Sequence, residues 1–374
     1  MKVLCVFGTR PEAVKMCPLV RELSLRPGVD SELCLTSQHR ELLYGVTELF
    51  GVKANYDLSL MRERQSLTSI FCGVLSGMEE VLARAQPDLV LVHGDTSTSC
   101  AAALAAFYRR IPVGHVEAGL RSHRRYSPFP EEMNRRLTAA LASLHFAPTE
   151  SSAGNLRAEG IADHVYVTGN TVLDALRTTV RKDYVFRCAD LRDPALFSRR
   201  CVLLTAHRRE NIPQGLRSIC RAALRLSEAF PDIRILYPVH PNPAVREIVL
   251  PLLRDRAGIV LTEPLDLLDM HNLMARSTLV MTDSGGLQEE APALGVPVLV
   301  LREETERPEA VEAGSVRVVG TQEDGIFRAA AALLSDEAAR LRMARAVSPY
   351  GDGHASERIA DILQHVYGAR EAAS

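Results

Sequence analysis

The sequence predicts an α/β protein with two doubly wound parallel sheets, and three observations carry this prediction. Short apolar runs rich in β-branched residues alternate with longer amphipathic stretches along the whole chain, a pattern typical of parallel sheets with helices on both faces. The chain has 374 residues, which is more than one ordinary domain holds. Hydrophobic residues make up 47% and charged residues 24% of it, as in a soluble globular protein.

The predicted strands form two sets along the chain. The first set comprises four apolar runs, each followed by a loop and a helix, at 2–7, 88–93, 113–116 and 144–147. A run at 165–170 continues into the segment 171–177, and a polar stretch of low periodicity follows at 181–200. The second set comprises six runs, at 201–205, 233–239, 258–262, 278–282, 296–301 and 316–319. Helices are predicted between and after them, for instance over 216–229 and 326–334.

These sets divide the chain into two domains and a C-terminal helix. We predict a first domain over 1–170, a second over 171–355, and a segment 356–374 whose helix packs back on the first domain. In open α/β sheets, ligands bind beyond the carboxyl ends of the strands. If the two sheets face each other, both sets of loops border one central cleft. Candidate site residues are therefore expected in those loops.

Composition excludes several classes of protein. The net charge is −2, from 44 basic and 46 acidic residues, so we expect neither a nucleic-acid partner nor a membrane surface. Eight cysteines occur without a CxxC pair, which favours buried reduced thiols over disulfides or a zinc site. The N-terminal apolar run ends at Gly8, too short for a signal peptide or a membrane span. We therefore expect a cytoplasmic protein.

Motifs for cofactors are missing from the sequence. Neither GxGxxG nor GxxxxGKS/T occurs, and His, Cys and Asp do not cluster at the spacing of metal ligands. We therefore expect no metal ion and no cofactor. An anionic ligand must instead be held by a local group of residues.

The first loop, GTRPE at 8–12, has the features of an anion-binding site. Thr9 can cap the following helix. The free N–H groups and the positive dipole end of that helix lie near Arg10 and Lys15, a combination that suits a phosphate. The alternative is an ordinary strand–turn–helix junction in which Arg10 pairs with Glu12.

Carboxylates follow the next strands of the first set. Asp95 lies in HGDTSTS, Glu117 follows the strand that contains His115, and Glu131 precedes a further helix. One alternative for Asp95 is a helix cap. Three loops with carboxylates at one sheet edge exceed what capping needs, however. Clustered carboxylates suit proton removal and return at carbon, because neighbouring like charges raise a pKa towards neutrality.

Two histidines follow strands of the second set. His207 lies in TAHRREN, beside Arg208 and Arg209, and can donate a hydrogen bond to a leaving phosphate. His240 lies between two prolines in YPVHPNP. Each histidine has a purely structural alternative as a satisfied loop residue.

The segment DSGGLQEEAP has the most specific local pattern. At Ser284, Gly285 and Gly286 the backbone can approach a diphosphate at the start of a helix. Glu290 can accept hydrogen bonds from ribose hydroxyls, and Arg307, after a further strand, can reach the same phosphates. The alternative is a generic glycine-rich turn before a helix.

Ten motifs occur in a fixed order: GTRPEAVKM, HGDTSTS, GHVEAGLRS, YSPFPEEMNRR, VTGNTVLDAL, TAHRREN, YPVHPNP, DSGGLQEEAP, ERPEAV and PYGDGHA. In this order they resemble the non-hydrolysing UDP-N-acetylglucosamine 2-epimerases, from residue 1 to about 366. The resemblance implies two Rossmann-like domains that face a central cleft, in a GT-B-type architecture, and a homodimer. It also implies reversible conversion of UDP-N-acetylglucosamine to UDP-N-acetylmannosamine, by loss of the C2 proton and elimination of UDP through a bound 2-acetamidoglucal.

The resemblance further implies roles for residues at matching positions. The acid/base carboxylates would be Asp95, Glu117 and Glu131, and His207 would assist the departure and return of UDP. UDP would be held by residues of both domains: Arg10, Lys15, Ser284, Gly285, Gly286, Glu290 and Arg307. A second UDP-N-acetylglucosamine, bound as an activator, would contact five side chains: Gln38, His39, Glu41, Arg64 and His240.

Two segments depart from the family pattern, and three other functions share parts of it. EPLDLLDM has Leu267 and Met270 where relatives have aromatic residues near uracil, and SHRRY at 122–126 is more basic than its counterparts. The other functions are a glycosyltransferase, a hydrolysing epimerase and a non-catalytic sensor of nucleotide sugars. A glycosyltransferase needs an acceptor cleft and one base, whereas this chain has three carboxylate loops. The intact acid/base residues argue against a sensor.

Overall fold

Two parallel sheets divide the chain into two units. The computed structural model describes residues 1–36, 40–60, 65–305 and 307–371. The first unit comprises Met1–Arg177 and Tyr350–Ser374, and the second comprises Thr178–Pro349. Residues 171–177 and 350–355, expected in the second domain, thus lie in the first unit.

The first unit contains a seven-stranded sheet. Its strands, numbered in chain order, are β1 (Lys2–Phe7), β2 (Asp30–Leu35), β3 (Tyr56–Asp57), β4 (Leu89–His93), β5 (Val113–Val116), β6 (Leu144–Ala147) and β7 (Val165–Val167). Its helices are α1 (Arg10–Ser24), α2 (Arg40–Leu49), α3 (Leu67–Ala85), α4 (Ser97–Tyr108), α5 (Glu131–Leu141), α6 (Glu150–Ala158), α7 (Val172–Thr179) and the C-terminal α15 (Ala355–Glu371). The last two residues of α7 already belong to the second unit. The order is β3-β2-β1-β4-β5-β6-β7 with parallel neighbours, so the carboxyl ends of the strands share one edge.

The second unit contains a six-stranded sheet. Its strands are β8 (Arg200–Thr205), β9 (Ile233–Pro238), β10 (Ile259–Thr262), β11 (Leu279–Thr282), β12 (Val298–Val300) and β13 (Val316–Val318). Its helices are α8 (Gln214–Ala229), α9 (Pro243–Leu253), α10 (Leu267–Ala275), α11 (Gly285–Ala293), α12 (Pro308–Glu312), α13 (Glu323–Ser335) and α14 (Glu337–Ala344). The order is β10-β9-β8-β11-β12-β13, again with parallel neighbours.

The predicted α/β class is confirmed, but two strands were missed. β2 reads DSELCL, and its three fully buried residues begin at Leu33. The acidic residues before Leu33 hide the apolar run from a pattern search. β3 has two residues, too few to form a periodic pattern. Both strands lie on one side of β1, which is therefore a central strand.

Two threonines fix the loops that follow β1 and β4. Thr9 and Glu12 form a capping box at the start of α1, in which each side chain accepts a hydrogen bond from the backbone N–H of the other residue. Thr96 Oγ1 accepts from the backbone N–H of Ser99, 3.0 Å away, at the start of α4. Each cap begins a helix at the carboxyl end of its strand. The loops that carry the candidate residues are therefore short and well determined.

The C-terminal segment joins the first unit through specific contacts. Asp174 on α7 accepts hydrogen bonds from the backbone N–H groups of Ala355, at 3.2 Å, and Ser356, at 2.7 Å. Helix α15 packs on α1, and Arg26 just after α1 pairs with Asp361 at 2.8 Å. The carboxylate of Asp174 thus caps the helix that ends the chain.

The cysteines have the environment of structural thiols. All eight are free, and six of them are buried, whereas Cys72 is exposed. Burial raises the pKa of most of these thiols, for instance that of Cys5 to about 12. Within the described residues, no group of three or more His, Cys, Asp and Glu side chains is placed to hold a metal ion. None of the described helices has the length and apolar character needed to cross a membrane.

Candidate active site

Glu12 connects the GTRPE loop to the loop after β4. Its carboxylate is 2% exposed. Oε2 accepts hydrogen bonds from two backbone N–H groups of the GTRPE loop, at 3.1 and 2.8 Å. Oε1 accepts from the hydroxyls of Thr96, at 2.6 Å, and Ser99, at 3.0 Å. The loops that carry Arg10 and Asp95 are therefore fixed relative to each other by one buried carboxylate.

Glu117 lies at the end of β5 and is surrounded by three nitrogen-bearing side chains. Its side chain is 9% exposed. Oε2 accepts hydrogen bonds from Lys15 Nζ on α1 and from Asn170 Nδ2 after β7, the latter at 2.9 Å. His93 Nε2, at the end of β4, lies 3.6 Å from the same oxygen. Elements from three parts of the first unit therefore meet at this carboxylate.

The charge of Glu117 follows from these neighbours. Burial alone would raise the pKa of Glu117, but the Lys15 ammonium and His93 outweigh burial and hold that pKa well below its ordinary value. The carboxylate is therefore ionised at neutral pH and able to accept a proton. The expectation that neighbouring carboxylates raise this pKa is wrong for Glu117, because its nearest charged partner is a cation.

Asp95 follows β4 and pairs with Arg135 on α5. Its Oδ2 lies 2.7 Å from Arg135 Nη2 and 3.0 Å from Nε. Thr96 provides the cap of α4, so the capping alternative for Asp95 is wrong. A Cβ placed on Gly94 would lie 3.6 Å from Glu117 Oε1. The structure therefore brings the loop of Asp95 against the carboxylate of Glu117.

Glu131 and Glu132 begin α5 in different environments. Glu131 is half-buried at the first position of the helix. Glu132 is fully buried and accepts hydrogen bonds from the backbone N–H of Ser122, at 2.9 Å, and from Arg135 and Arg136, each at 3.3 Å. Glu132 thus holds the SHRRY segment, which leaves Glu131 as the partly accessible carboxylate of this pair.

His115 lies inside β5 and is fully buried. Its Nε2 is 2.7 Å from the backbone oxygen of Gly94. Burial lowers the pKa of His115 to about 3. The histidine is therefore neutral at physiological pH, and its contact with Gly94 stabilises the loop after β4.

His207 follows β8 and contacts two other side chains of the second unit. Its Nδ1 lies 3.5 Å from Asp283 Oδ1. Its ring stacks on that of His240, with centroids 4.9 Å apart and planes inclined by 9°. Burial lowers the pKa of His207, and the carboxylate of Asp283 opposes that shift. About a third of the side chain, 35%, is exposed, so His207 can reach a ligand.

The N-terminus of α11 lies against an arginine. A Cβ placed on Gly285 would come within 2.8 Å of Arg307 Nη1, so the guanidinium occupies the space of a missing side chain. Arg307 Nε donates to Glu289 Oε1 over 2.6 Å, and Glu289 is 1% exposed. The free N–H groups of a helix start and a fixed guanidinium together attract an anion.

Ser284, Gly286 and Glu290 complete this helix start. The backbone N–H of Ser284 donates to Thr282 Oγ1 over 2.9 Å, and the Ser284 side chain makes no capping bond to α11. A Cβ on Gly286 would lie 3.1 Å from Glu290 Oε1. Glu290 Oε2 is also 3.5 Å from His271 Nε2. The residues predicted from DSGGLQEEAP thus lie together at the start of α11, within its first two turns.

The predicted activator site is described in part. His240 stacks on His207, as above. Gln38, His39 and Arg64 lie outside the described residues, as does the side chain of Glu41. At the predicted uracil end, Leu267 and Met270 are half-buried on α10.

Four residues at these sites were not singled out from the sequence: His93, Asn170, Arg135 and Asp283. His93 is the last residue of β4, and Asn170 and Asp283 lie in the loops after β7 and β11. All three stand inside motifs that the sequence analysis quoted. Polar residues at strand ends were therefore an available signal. Arg135 lies inside α5, where the sequence gives no such signal.

The fold and the placement of these residues define the class of the protein. It consists of two Rossmann-like α/β units of the GT-B type, with polar and glycine-rich loops after their strands. A sequence model of the UDP-N-acetylglucosamine 2-epimerase family matches residues 21–364. A Thermotoga maritima relative is 55% identical over 368 residues, which cover 98% of this chain and 97% of the relative. The chain belongs to the UDP-N-acetylglucosamine 2-epimerase family, as its motifs predicted.

Two named relatives extend the comparison. The UDP-N-acetylglucosamine 2-epimerase of Bacillus subtilis is 49% identical over 372 residues, covering 99% of this chain and 97% of that protein. The crystal structure of UDP-GlcNAc 2-epimerase from Neisseria meningitidis bound to UDP-GlcNAc is 46% identical, with a TM-score of 0.90. It covers 98% of this chain and 100% of its own. The fold is thus shared over essentially the full length.

Proposed function

We propose that this chain is an enzyme that converts UDP-N-acetylglucosamine reversibly to UDP-N-acetylmannosamine, without hydrolysis. Its family membership and the meningococcal relative bound to UDP-GlcNAc support this substrate. The observation that carries the proposal is Glu117, a buried and ionised carboxylate that lies beside the loop of Asp95. Such a carboxylate is in the deprotonated form that removal of a proton from carbon requires.

The proposed reaction needs a base and a leaving group. A carboxylate takes the C2 proton, the electrons of the C–H bond form a C1=C2 double bond, and UDP leaves C1 with the electrons of the C1–O bond. The product is UDP and 2-acetamidoglucal. A UDP oxygen then bonds to C1 again, and C2 takes a proton on the opposite face. We assign these proton transfers to three carboxylates, Asp95, Glu117 and Glu131, of which Glu117 has a pKa that Lys15 and His93 hold well below its ordinary value.

UDP is proposed to bind at the start of α11, where Arg307 and the helix N–H groups supply positive potential. His207 donates a hydrogen bond to the departing phosphate, and Arg10 contributes from the first unit. The proposal therefore requires that residues of both units contact one substrate. Lys15 pairs with Glu117 in the structure, which supports a role in holding the carboxylate ionised. Its contact with UDP stays a prediction.

One experiment tests the proposed reaction. The protein is incubated with UDP-N-acetylglucosamine in deuterated water, and the sugar is followed by NMR. We expect deuterium at C2 of both epimers, with UDP still attached. Free N-acetylmannosamine with released UDP would show a hydrolysing epimerase instead. Absence of any exchange at C2 would contradict epimerisation altogether.

Activation by a second UDP-N-acetylglucosamine and assembly as a homodimer are further parts of the proposal. The stacked pair His207–His240 supports the first, because it connects a predicted activator residue to a predicted active-site residue. With UDP-N-acetylmannosamine as sole substrate we expect a lag that added UDP-N-acetylglucosamine removes. Full initial rate without a lag contradicts the activation. Light scattering measures the mass of the assembly.

A further inference from the structure

Asp283 lies at the end of β11 and is bound asymmetrically. It is fully buried. Its Oδ2 accepts three hydrogen bonds, from the backbone N–H groups of His207 and Arg208, each at 2.8 Å, and from Asn211 Nδ2, at 3.0 Å. Its Oδ1 is buried without a hydrogen-bond partner among the described residues. That second oxygen lies 3.5 Å from His207 Nδ1.

These contacts leave little freedom to the carboxylate. Three donors on Oδ2 fix its orientation, so Oδ1 faces the imidazole of His207. A buried carboxylate oxygen without a donor is unfavourable, and Nδ1 of His207 lies 3.5 Å from it and can donate when it carries a proton. The distance of 3.5 Å is slightly longer than an ordinary N–H···O bond. Catalytic hydrogen bonds are often long without ligand and shorten in the complex.

The ring of His207 is restrained on its face as well. His240 stacks on it at 4.9 Å with nearly parallel planes, which sets the plane of the imidazole. The preceding residue, Ala206, is fully buried, and its backbone oxygen accepts a hydrogen bond from the hydroxyl of Tyr237 over 2.8 Å. With the plane fixed and Nδ1 next to Asp283, Nε2 is on the opposite side of the ring.

We propose that Asp283 is a positioning residue, which accepts Nδ1–H of His207 and so presents Nε2 to the departing diphosphate. When His207 is protonated at both nitrogens, Asp283 stabilises the cation and Nε2–H donates to a phosphate oxygen. The identity of that ligand rests on the proposed function, whereas the contact between Asp283 and His207 does not. A carboxylate that merely holds the loop after β8 would leave the tautomer of His207 undetermined.

The charges around His207 agree with this arrangement. Burial lowers the pKa of His207, and His240 and Arg208 act in the same direction. Asp283 and Glu210 raise the pKa. His207 is thus neutral at neutral pH without a ligand. A bound anionic phosphate would favour its protonated form, as Asp283 and Glu210 do.

The tautomer is measured directly by NMR of the intact protein labelled with ¹⁵N-histidine, with His207 assigned by the loss of its signals in His207→Gln. At pH 8 we expect the wild type to carry the proton on Nδ1. In Asp283→Asn, the three groups that donate to Oδ2 still require an oxygen, so the amide NH₂ faces Nδ1 of His207. Nδ1 then accepts a hydrogen bond, and we expect the proton on Nε2. An Nε2–H tautomer in the wild type overturns the proposal, and this holds even if Asp283→Asn does not fold.

Kinetics of the single and double variants provide the second arm. By analogy with carboxylate–histidine pairs in hydrolases, Asp283→Asn should lower kcat at least ~100-fold in the wild type, but less than ~3-fold in the His207→Gln background. Losses that multiply in the double variant indicate a structural role and overturn the proposal. If the wild type carries the proton on Nδ1 but shows no exchange at C2, the proposed reaction is wrong, whereas the role of Asp283 in positioning His207 still holds.

A matched control is Asp269→Asn. Asp269 is also buried in the second unit, 2% exposed, and accepts from the backbone N–H groups of Arg187, at 2.9 Å, and Cys188, at 2.7 Å. Its loss should destabilise the protein without changing the tautomer of His207. A tautomer change in this control would overturn the assignment to Asp283.

Discussion

Glu117 carries its carboxylate on a strained stretch of backbone. Its φ of 61° lies in the left-handed region, which residues with side chains rarely adopt. The conformation persists in a residue whose carboxylate is also buried against Lys15 and Asn170. Strain, burial and charge each cost stability at one position, so their combination indicates a function other than holding the fold.

Replacement of this carboxylate by the amide is the first test at the scale of a residue. We expect Glu117→Gln to lower turnover at least ~100-fold, because an amide does not accept a proton from carbon. The amide keeps the shape of the side chain and one oxygen for Asn170 or Lys15. UDP affinity, measured by titration calorimetry, should therefore change by less than ~3-fold. Turnover is measured by NMR of the two epimers.

Glu150→Gln on α6 is the matched control. Its carboxylate is 77% exposed and lies 3.7 Å from Arg157, so its loss should leave turnover intact and change stability by less than about 0.5 kcal/mol. Near-normal turnover of Glu117→Gln would contradict the acid/base role. A parallel loss of UDP affinity would assign Glu117 to binding instead.

At this scale the sequence predicts where site residues lie, but not what they contact. Asp95, Glu117 and His207 follow apolar runs, so their place at a sheet edge could be predicted from the pattern. Their partners come from distant elements, since Arg135 is 40 positions from Asp95 and Asp283 is 76 positions from His207. No local periodicity reports such contacts, because they depend on how strands and helices pack.

Helix α11 provides a test at the scale of an element. Its first residue, Gly285, has no side chain, and Arg307 fills the space where a Cβ would lie, 2.8 Å away. The guanidinium also bonds to the buried Glu289, so it does not move without breaking that ion pair. We expect Gly285→Ala to weaken UDP binding roughly 10-fold, because the added methyl group would displace the guanidinium from the proposed diphosphate site. Titration calorimetry with UDP measures this effect.

The control uses a helical glycine with open space around it. Gly154 on α6 has no atom within 4 Å of a placed Cβ. Gly154→Ala should therefore leave UDP affinity unchanged and add about 0.5–1 kcal/mol of stability from helix propensity. Wild-type affinity in Gly285→Ala would show that the start of α11 and Arg307 do not bind UDP together.

Strands were predicted accurately where a proline stands directly before or after an apolar run. The strands at 113–116 and 144–147 agree with β5 and β6 to the residue. Pro112 precedes the first of them and Pro148 follows the second, and proline ends regular structure. β2 follows Pro27 and Gly28, but it and β3 begin with polar or half-buried residues. They therefore depend on pairing, β2 with β1 and β3 with β2, rather than on their own pattern.

At the scale of the whole molecule, the chain leaves the first unit and returns to it. Asn170 donates its backbone N–H to the oxygen of Tyr350 over 2.8 Å, and Asp174 caps α15. These contacts place both 171–177 and 350–355 in the first unit. The predicted boundaries missed this because the partners lie about 180 positions apart, a separation that composition and periodicity do not report.

The first unit also contains two histidines buried on neighbouring strands. His115 on β5 and His145 on β6 are register partners, 0% and 2% exposed. Burial lowers the pKa of His115 to about 3 and that of His145 to about 4, from an ordinary value of 6.5. The folded unit therefore excludes protons that the unfolded chain binds readily.

This difference predicts how acid acts on the molecule. Because both pKa values are depressed on folding, the stability they contribute is fully present above pH 6.5 and is lost as the pH falls from 6.5 towards 4. Between pH 7 and pH 5 each histidine should remove about 2 kcal/mol of unfolding free energy. The buried carboxylates of this unit with lowered pKa, Glu117 and Glu132, stay ionised over that interval. Urea unfolding followed by circular dichroism at the two pH values measures the loss, and His145→Gln should reduce it by the share of one histidine, about 2 kcal/mol. A variant that loses as much as the wild type would contradict the assignment of acid sensitivity to this histidine pair.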